Sequence, residues 1–326
     1  MSVRGGLDLG GTKIQAIVFD TTGERVLAQA RHPTPREGGP AAVVDALVAA
    51  QQEAATQAGT TTERLGGVGV GSPGEIDGAA GTVARASNLP EWEEPFGLAH
   101  ALSERLGTQV SLGNDVDVAT QAEFALGAGR EASSLLGVWW GTGVGGGLVL
   151  DGKPWTGRGS AGEIGHMVVR RGGARCPCGR RGCMEAYAGR RAMEARARAK
   201  AKAGEKTDLL KLMDKLGRTT MSSSVWARAL EREDKLAVEI VNRALRALGA
   251  GIASAINLLD LEMVVIGGGL GVRFGEPMAK RIAAEMLPHL FFDDRPPAVH
   301  VATLGDLGGA IGAALLSERL APAAAA

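Results

Sequence analysis

The chain has 326 residues, 45% of them hydrophobic, which is enough to bury a large core and predicts about two domains. Its 36 basic and 36 acidic residues give a formal net charge of +0, so bulk charge does not indicate a nucleic-acid or anionic-membrane partner. It contains no run of about 18 uncharged apolar residues, so we expect no membrane span. The N-terminal "MSVRGGLDLGGTK" lacks an apolar signal core. We therefore expect no signal peptide and a cytoplasmic location.

The first part of the chain alternates strand and helix patterns. "GLDLGGTKIQAIVFDTTGERVLAQARHPTP" predicts two strands around a glycine-rich turn and a third strand after a turn at Thr22-Gly23. Apolar spacing then predicts helices over 41–59, 95–107 and 117–129, with buried strands over 65–74 and 109–116. The segment after Gly74, Glu75 to Gly78, is predicted to be a turn.

The second part begins with another glycine-turn hairpin. "SLLGVWWGTGVGGGLVLDGK" predicts two strands, and further strands are expected over 262–270 and 298–304. A long amphipathic helix is predicted at about 228–259, with helices over 276–287 and 308–319 and a frayed tail at 321–326. The charged, alanine-rich stretch 185–224 is open to two interpretations. We favour a solvated helical insertion over a nucleic-acid patch, because acidic residues are interleaved and aromatics are scarce.

This order predicts an α/β fold with a largely parallel core and a duplicated plan, although no sequence repeats at a fixed period. We expect a small α/β domain formed by 1–115 with 301–326. Residues 116–300 are expected to form a larger α/β domain that contains the helical insertion.

Glycine loops indicate a nucleotide-phosphate site. The segments 69–74 and 141–146 match GxGxxG, but neither is followed by a predicted helix, and the chain has no GxxxxGK[ST]. "DLGGTK" (8–13) and "GTGVGGG" (141–147) each lie at a predicted hairpin turn, with "VVIGGGL" as a third loop. Free backbone N–H groups and the hydroxyls of Thr12 and Thr142 suit phosphate oxygens, and Asp8 could hold Mg²⁺ through water. A plain tight hairpin remains the alternative for each loop.

Asn114 and Asp115 come between a predicted strand and a predicted helix. Both residue types are common helix N-caps. The same place is also the carboxyl edge of a sheet, where α/β proteins bind ligands, so a general base is the functional alternative.

All three cysteines, Cys176, Cys178 and Cys183, lie in "CPCGRRGCME". An odd number in a short loop does not form a disulfide framework, and a metal site is the usual alternative in a reducing compartment. His166 is the histidine nearest in sequence, which predicts a Cys3His site for structural Zn²⁺. Glu163 and Glu185 flank the ligands, where they could accept sugar hydroxyls or simply be solvated.

These residues give the chain its resemblance to the ROK family of sugar kinases and repressors, in particular to bacterial glucokinases. The resemblance runs nearly end to end. It depends on these segments: "DLGGTK", "GVGSPG", "SNLPEW", "GNDVDVATQAE", "GTGVGGG", "AGEIGH", "CPCGRRGCME" and "VVIGGG". It implies a duplicated ribonuclease-H-like fold of the actin or hexokinase type, with an active-site cleft between two domains. It also implies ATP-dependent phosphorylation of a hexose hydroxyl.

The resemblance also implies roles for individual residues. Asp115 resembles the catalytic base on the sugar 6-hydroxyl. The substrate contacts would come from Asn88, Asn114, Asp115, Glu163, His166 and Glu185. The nucleotide and phosphate set would be Asp8, Gly10, Gly11, Thr12, Lys13, Thr142, Gly143 and Gly268. His166 would then bind zinc through one ring nitrogen and the sugar through the other.

The sequence predicts an ATP:hexose kinase, with glucose as the expected acceptor. Two alternatives stay open. One is a kinase for N-acetylglucosamine, N-acetylmannosamine, mannose or fructose, or one that uses polyphosphate as donor. The other is a sugar sensor without turnover. We expect a homodimer, with a homotetramer as the alternative, and no helix-turn-helix domain before Asp8.

Overall fold

The structure is a computed structural model, and it describes residues 3–86 and 88–319. The predicted frayed tail lies outside the described residues. The strands are β1 (Val3–Leu9), β2 (Lys13–Asp20), β3 (Arg25–Pro33), β4 (Val68–Ser72), β5 (Glu75–Asp77), β6 (Thr82–Ala84), β7 (Val110–Asn114), β8 (Leu135–Trp140), β9 (Val144–Leu150), β10 (Lys153–Pro154), β11 (Met263–Gly267) and β12 (Ala298–Val301). The helices are α1 (Gly39–Gln57), α2 (Leu98–Leu106), α3 (Asp115–Leu126), α4 (Glu185–Ala188), α5 (Arg190–Lys202), α6 (Leu209–Lys215), α7 (Ser223–Glu231), α8 (Lys235–Leu259), α9 (Gly268–Met286) and α10 (Gly308–Arg319).

The described residues form two compact units. The first comprises the described parts of Met1–Arg130, Thr156–Gly159 and Leu304–Ala326, and the second comprises Glu131–Trp155 and Ser160–Thr303. The predicted division at residue 115 differs from this one, because α3 packs against α10 and β4 within the first unit.

The two units share one sheet plan. The first sheet has the order β3-β2-β1-β4-β7 and the second has the order β10-β9-β8-β11-β12. In each sheet the first two strand pairs of this order are antiparallel and the last two are parallel. The predicted α/β class and the topological duplication are confirmed.

Strand β2 shows how the first unit builds its core on both faces of its sheet. Ile14 and Val18 pack in the cluster that includes α1 and α2, whereas Ile17 and Phe19 pack with residues of α3 and α10. Successive strand residues point to opposite faces, which explains this division. Gly69 belongs to the close contact with α10, because a Cβ there would lie 1.7 Å from the Ala313 carbonyl oxygen. Gly69 of the GxGxxG pattern at 69–74 is therefore explained by strand–helix packing.

The second unit buries Trp140 and Trp226 completely. Trp140 donates its indole N–H to the Ala188 carbonyl at 2.7 Å and packs edge-to-face on Phe274. The stretch 185–224 is helical as predicted, but it is not merely solvated, because buried residues such as Met193 join α5 to the same core.

Two local predictions were wrong and a third was incomplete. The helix predicted over 228–259 is two helices, because Glu233 adopts φ 53° and Asp234 caps α8 by accepting from the Ala237 N–H. A helix follows Gly275, as predicted for 276–287, but α9 already begins at Gly268, within the predicted strand 262–270, and is interrupted at Gly275, where φ is 66° and ψ is −165°. The predicted turn after Gly74 is instead β5, paired with β6. Within residues 3–86 and 88–319, none of the helices combines the length and apolar character needed to cross a membrane.

Candidate active site

The first glycine turn joins β1 to β2 and is held from outside the hairpin. Gly10 N–H donates to the Lys13 carbonyl at 2.9 Å. Thr34, which sequence reasoning missed, donates its hydroxyl to the Gly10 carbonyl at 2.6 Å and its N–H to the Thr12 carbonyl at 3.2 Å. These hydrogen bonds fix the turn through its carbonyl groups. Gly11 and Thr12 remain exposed.

Asn88 and Lys13 lie around the same turn. A Cβ on Gly11 would be 3.0 Å from the Asn88 carbonyl oxygen and 3.1 Å from its Cβ, so the two backbones meet closely there. Lys13 pairs with Asp306 at 3.2 Å. Gly11, which is predicted to bind nucleotide phosphate, therefore lies beside Asn88, which is predicted to bind the sugar.

The Asp8 carboxylate is enclosed next to this turn. A Cβ on Gly309, in the first turn of α10, would lie 2.7 Å from Asp8 Cγ, so the helix backbone approaches the carboxylate directly. Burial, together with the nearby charge of Asp115, raises the pKa of Asp8 to about 6, and the charge of Lys13 opposes this change. Two neighbouring carboxylates in a site of this kind favour a bound cation.

Asn114, and not Asp115, is the N-cap of α3. The Asn114 Oδ1 accepts from Val116 N–H at 3.0 Å and from Asp117 N–H at 3.3 Å, so Asn114 is the N-cap of α3. Asp115 Oδ1 also accepts from Val116 N–H, at 2.9 Å. Since Asn114 satisfies the cap, the helix end does not require a carboxylate at Asp115.

The second glycine turn joins β8 to β9 and is braced by the start of α5. Arg190 N–H donates to the Gly141 carbonyl and Arg191 N–H to the Thr142 carbonyl, at 3.1 and 3.2 Å. The Arg190 guanidinium donates to Thr142 Oγ1 at 3.0 Å, and burial lowers the pKa of this guanidinium. Sequence reasoning missed Arg190, since nothing local connects it to the turn.

Gly143 and Gly268 are glycines for different reasons. Gly268 begins α9 with φ 76°, and a Cβ there would lie 2.6 Å from the Trp140 carbonyl oxygen. At Gly143 a Cβ would lie only 2.2 Å from Glu185 Oε2. Glu185 Oε2 also accepts from Val144 N–H at 2.9 Å. The predicted phosphate glycine Gly143 is therefore in contact with a predicted sugar ligand.

The cysteine prediction gains a defined geometry. The possible ligand atoms of His166, Cys176, Cys178 and Cys183 all lie within 4.8 Å of one another. The Cys178 and Cys183 sulfurs are 3.7 Å apart, close to the roughly 3.8 Å expected between two ligands of a tetrahedral zinc with Zn–S bonds of about 2.3 Å. These residues fit the predicted Cys3His set.

Two glycines shape the cysteine loop. Gly179 and Gly182 both have φ 87°, which favours glycine. Burial raises the pKa of the Cys176 thiol to about 12 and also raises the pKa of Cys183. Buried thiols of this kind ionise readily only beside a cation, so a metal matches the chemistry of the donor set.

The cluster is joined to the surrounding carboxylates. The His166 Nδ1 faces Cys176 Sγ at 3.7 Å, and its Nε2 lies 3.8 Å from Glu163 Oε2. Cys176 Sγ is also 3.9 Å from Glu185 Oε1. One ring nitrogen thus belongs to the sulfur cluster and the other lies near a mostly exposed carboxylate.

The comparisons with known proteins agree with this architecture. The chain is 33% identical to a glucokinase of Halalkalibacterium halodurans over 319 residues, covering 96% of this chain and 94% of the relative. It is also 33% identical to the N-acetylgalactosamine kinase AgaK of Shewanella sp. over 324 residues, covering 97% and 96%. A crystal structure of a Streptomyces griseus ROK family glucokinase with glucose and AMPPNP superposes with a TM-score of 0.81 at 32% identity, covering 97% of this chain and 99% of that one.

Two α/β units with one repeated sheet plan define the two-domain fold of the ROK hexokinases. The ROK family model matches residues 4–319. The chain belongs to the ROK family.

Proposed function

We propose that this protein transfers the γ-phosphoryl group of ATP to the 6-hydroxyl of a hexose, with glucose as the first acceptor to test. The observation that carries the proposal is the arrangement of Asn114 and Asp115 at the start of α3. Asn114 caps the helix, and Asp115 places a second carboxylate near Asp8 and the first glycine turn. The glucokinase with glucose and AMPPNP supports ATP as donor and glucose as acceptor.

In this proposal Asp115 accepts the proton of the sugar hydroxyl as the oxygen attacks the γ-phosphorus. The new sugar O–P bond forms while the bond between the γ-phosphorus and the bridging oxygen of ADP breaks. The products are the sugar 6-phosphate and ADP, and the proton passes from Asp115 to solvent. Asn114 uses its Oδ1 for the cap, and its amide nitrogen is the donor end proposed to contact the sugar.

The nucleotide phosphates are proposed to bind the glycine turns. In the first unit Gly11 and Thr12 are exposed in a fixed turn that begins at Gly10. In the second unit Thr142 and Gly268 are the candidate phosphate contacts. Asp8 would hold Mg²⁺ through water, and the ion would neutralise charge on the transferring phosphoryl group. The raised pKa of Asp8 near Asp115 is consistent with a site that a cation completes.

Structural zinc is proposed at His166 and the three cysteines. A closed Cys3His site leaves no open coordination position, so zinc would stabilise the loop and take no part in phosphoryl transfer. His166, held through Nδ1, would present Nε2 to a sugar hydroxyl beside Glu163. The contact between Cys176 and Glu185 would fix a second sugar-binding carboxylate.

The acceptor is the least constrained part of the proposal. The relatives include a glucokinase and an N-acetylgalactosamine kinase at equal identity, so an amino-sugar kinase is the second candidate. The discriminating assay uses a panel of hexoses and N-acetylhexosamines. It measures ADP release with ATP as the donor and polyphosphate consumption with polyphosphate as the donor. We expect a higher kcat/KM for glucose than for N-acetylglucosamine, and the reverse order would overturn the choice of acceptor.

The test of the mechanism is Asp115→Asn. This change keeps the side-chain shape and removes the base, so we expect sugar binding within a small factor of wild type and a kcat at least about 10²-fold lower. Asp117→Asn is the matched control, because it removes a carboxylate from the same helical turn. A sensor without turnover would bind sugar equally well in all three proteins and release no ADP.

A further inference from the structure

A cavity of about 430 Å³ in the second unit lies outside the residues of the proposed kinase site. We call it the α5 cavity. Arg175, Tyr187, Arg196, Lys200 and Arg243 line it, together with small side chains of α5. Its volume is in the range of pockets that bind small molecules.

The charge of the lining is one-sided. Four cationic side chains line the cavity and no carboxylate does. Glu239 accepts from Arg196 at 3.0 Å and from Lys200 at 2.6 Å, and Glu205 accepts from Lys200 at 3.1 Å. These two carboxylates offset part of the charge of Arg196 and Lys200 only.

Arg243 and Arg175 carry the remaining charge. The Arg243 guanidinium lies 4.5 Å from the centre of the Tyr187 ring. Over the described part of the chain, neither arginine forms a salt bridge to a carboxylate. Burial and the nearby positive charges of Arg196 and Arg170 lower the pKa of Arg243. An anion in the cavity would supply the missing counter-charge.

The shape of the cavity selects an organic anion. Ala192, Ala195 and Ala199 lie at helical spacing along α5 and leave space beside the cationic groups. The Tyr187 ring is almost fully buried and lies under the Arg243 guanidinium. Arginines match phosphate geometry, while the small apolar side chains leave room for the body of a sugar-sized molecule.

We propose that the α5 cavity binds a small phosphorylated metabolite of sugar-phosphate size, with Arg243 and Arg175 as its principal phosphate contacts. The site is separate from the proposed catalytic residues and does not depend on them. It also gives a function to part of the charged stretch 185–224 that sequence analysis left unassigned.

The cavity is connected to the cysteine loop through Tyr187. The Tyr187 hydroxyl accepts from Ala174 N–H at 2.8 Å, and Ala174 lies two residues before Cys176. Ala186, which also lines the cavity, directly follows Glu185. Binding in the cavity should therefore slow amide exchange at Ala174 and along α5.

The test is calorimetry on the full-length protein at about 0.15 M salt, near physiological ionic strength, with inorganic phosphate, glucose 6-phosphate and tripolyphosphate as probes. We expect glucose 6-phosphate to bind more tightly than phosphate. If tripolyphosphate binds more tightly than glucose 6-phosphate, the ligand is an inorganic polyanion and the sugar-phosphate assignment is wrong.

Arg243→Met should weaken binding of glucose 6-phosphate at least about 10-fold, because it removes a charge-assisted contact. Ala195→Glu changes an exposed helix position, introduces a competing carboxylate and should weaken binding equally without risk to the fold. Arg246→Ala, on the exposed side of α8, is the control and should bind like wild type.

Hydrogen exchange then locates the bound probe. Protection at residues 174–200 that disappears in Ala195→Glu supports the proposal. Three results would overturn it: no binding by wild type at millimolar probe, equal weakening in Arg246→Ala, or binding that depends on Thr142 and not on Arg243. The last result would assign the phosphate to the proposed nucleotide loop. Since calorimetry requires no turnover, failure of the proposed kinase activity would leave this test unaffected.

Discussion

Gly143→Ala separates what the glycine motif suggests from what the structure shows. In the sequence, Gly143 belongs to a phosphate loop, so its replacement would be expected to weaken nucleotide binding. In the structure, the added Cβ would lie 2.2 Å from Glu185 Oε2 and 3.1 Å from Glu185 Cδ. Cβ contacts under 3.0 Å essentially never occur, so the carboxylate must retreat by roughly 1 Å.

That displacement removes a defined interaction. Glu185 Oε2 accepts from Val144 N–H at 2.9 Å, and a hydrogen bond to a charged group contributes about 1.5–3 kcal/mol. Glu185 is only half-buried, so we expect a loss of about 1–2 kcal/mol in the free energy of unfolding. If Glu185 binds a sugar hydroxyl, a loss of about 1.4 kcal/mol in the free energy of sugar binding corresponds to a 10-fold rise in the KM for sugar.

The assay is a pair of steady-state titrations, varying sugar at saturating ATP and ATP at saturating sugar, with urea unfolding of the same protein. Gly97→Ala is the matched control, because its φ is −73° and a Cβ there has nothing within 4 Å. A raised KM for ATP with an unchanged KM for sugar would refute the reasoning and restore Gly143 to the phosphate loop.

Three further predictions follow from the same sites. Cys178→Ser should abolish binding of one zinc per chain, detected by X-ray absorption, and lower sugar affinity and turnover together while nucleotide binding survives; normal glucose phosphorylation without metal would contradict the role given to the loop. For Asp8, the folded pKa of about 6 exceeds the ordinary aspartate value of 3.8, so the charged form destabilises the fold and stability falls as pH rises from about 4 to about 6. Asp8→Asn should therefore gain about 1–3 kcal/mol at pH 7.5 without divalent cations, a gain that vanishes in urea unfolding below about pH 4, and it should lose turnover. Asn114→Ala should cost about 1 kcal/mol in urea unfolding through loss of the cap, and Asn114→Ser should recover stability while its KM for sugar remains raised; full recovery of both would show that capping is the whole role of Asn114.

Patterns of local origin were predictable from the sequence. Strand and helix periodicity identified the two hairpins and most of the helices, since a period is set by the backbone geometry of a single element. The spacing of Cys176, Cys178 and Cys183 limited the metal-site prediction to one loop and left His166 as the nearest imidazole. The helix break at Glu233 was missed, because the amphipathic pattern continues across it. The first part of α9, from Gly268 to Phe274, was missed because its glycines indicate a loop rather than a helix.

Contacts between distant segments were decided only by the tertiary structure. The sequence itself determined that an α/β chain carries glycine turns, a candidate base at Asp115 and a thiol cluster. It did not determine that Thr34 holds the first turn, that Gly309 meets Asp8 or that Gly143 meets Glu185. The sequence does not show whether a glycine is required by a turn, by a ligand or by a neighbouring side chain. Only its tertiary contacts distinguish these causes. The α5 cavity has the same origin: its arginines are unremarkable along the chain, and the fold places them around one space without an acidic side chain in its lining.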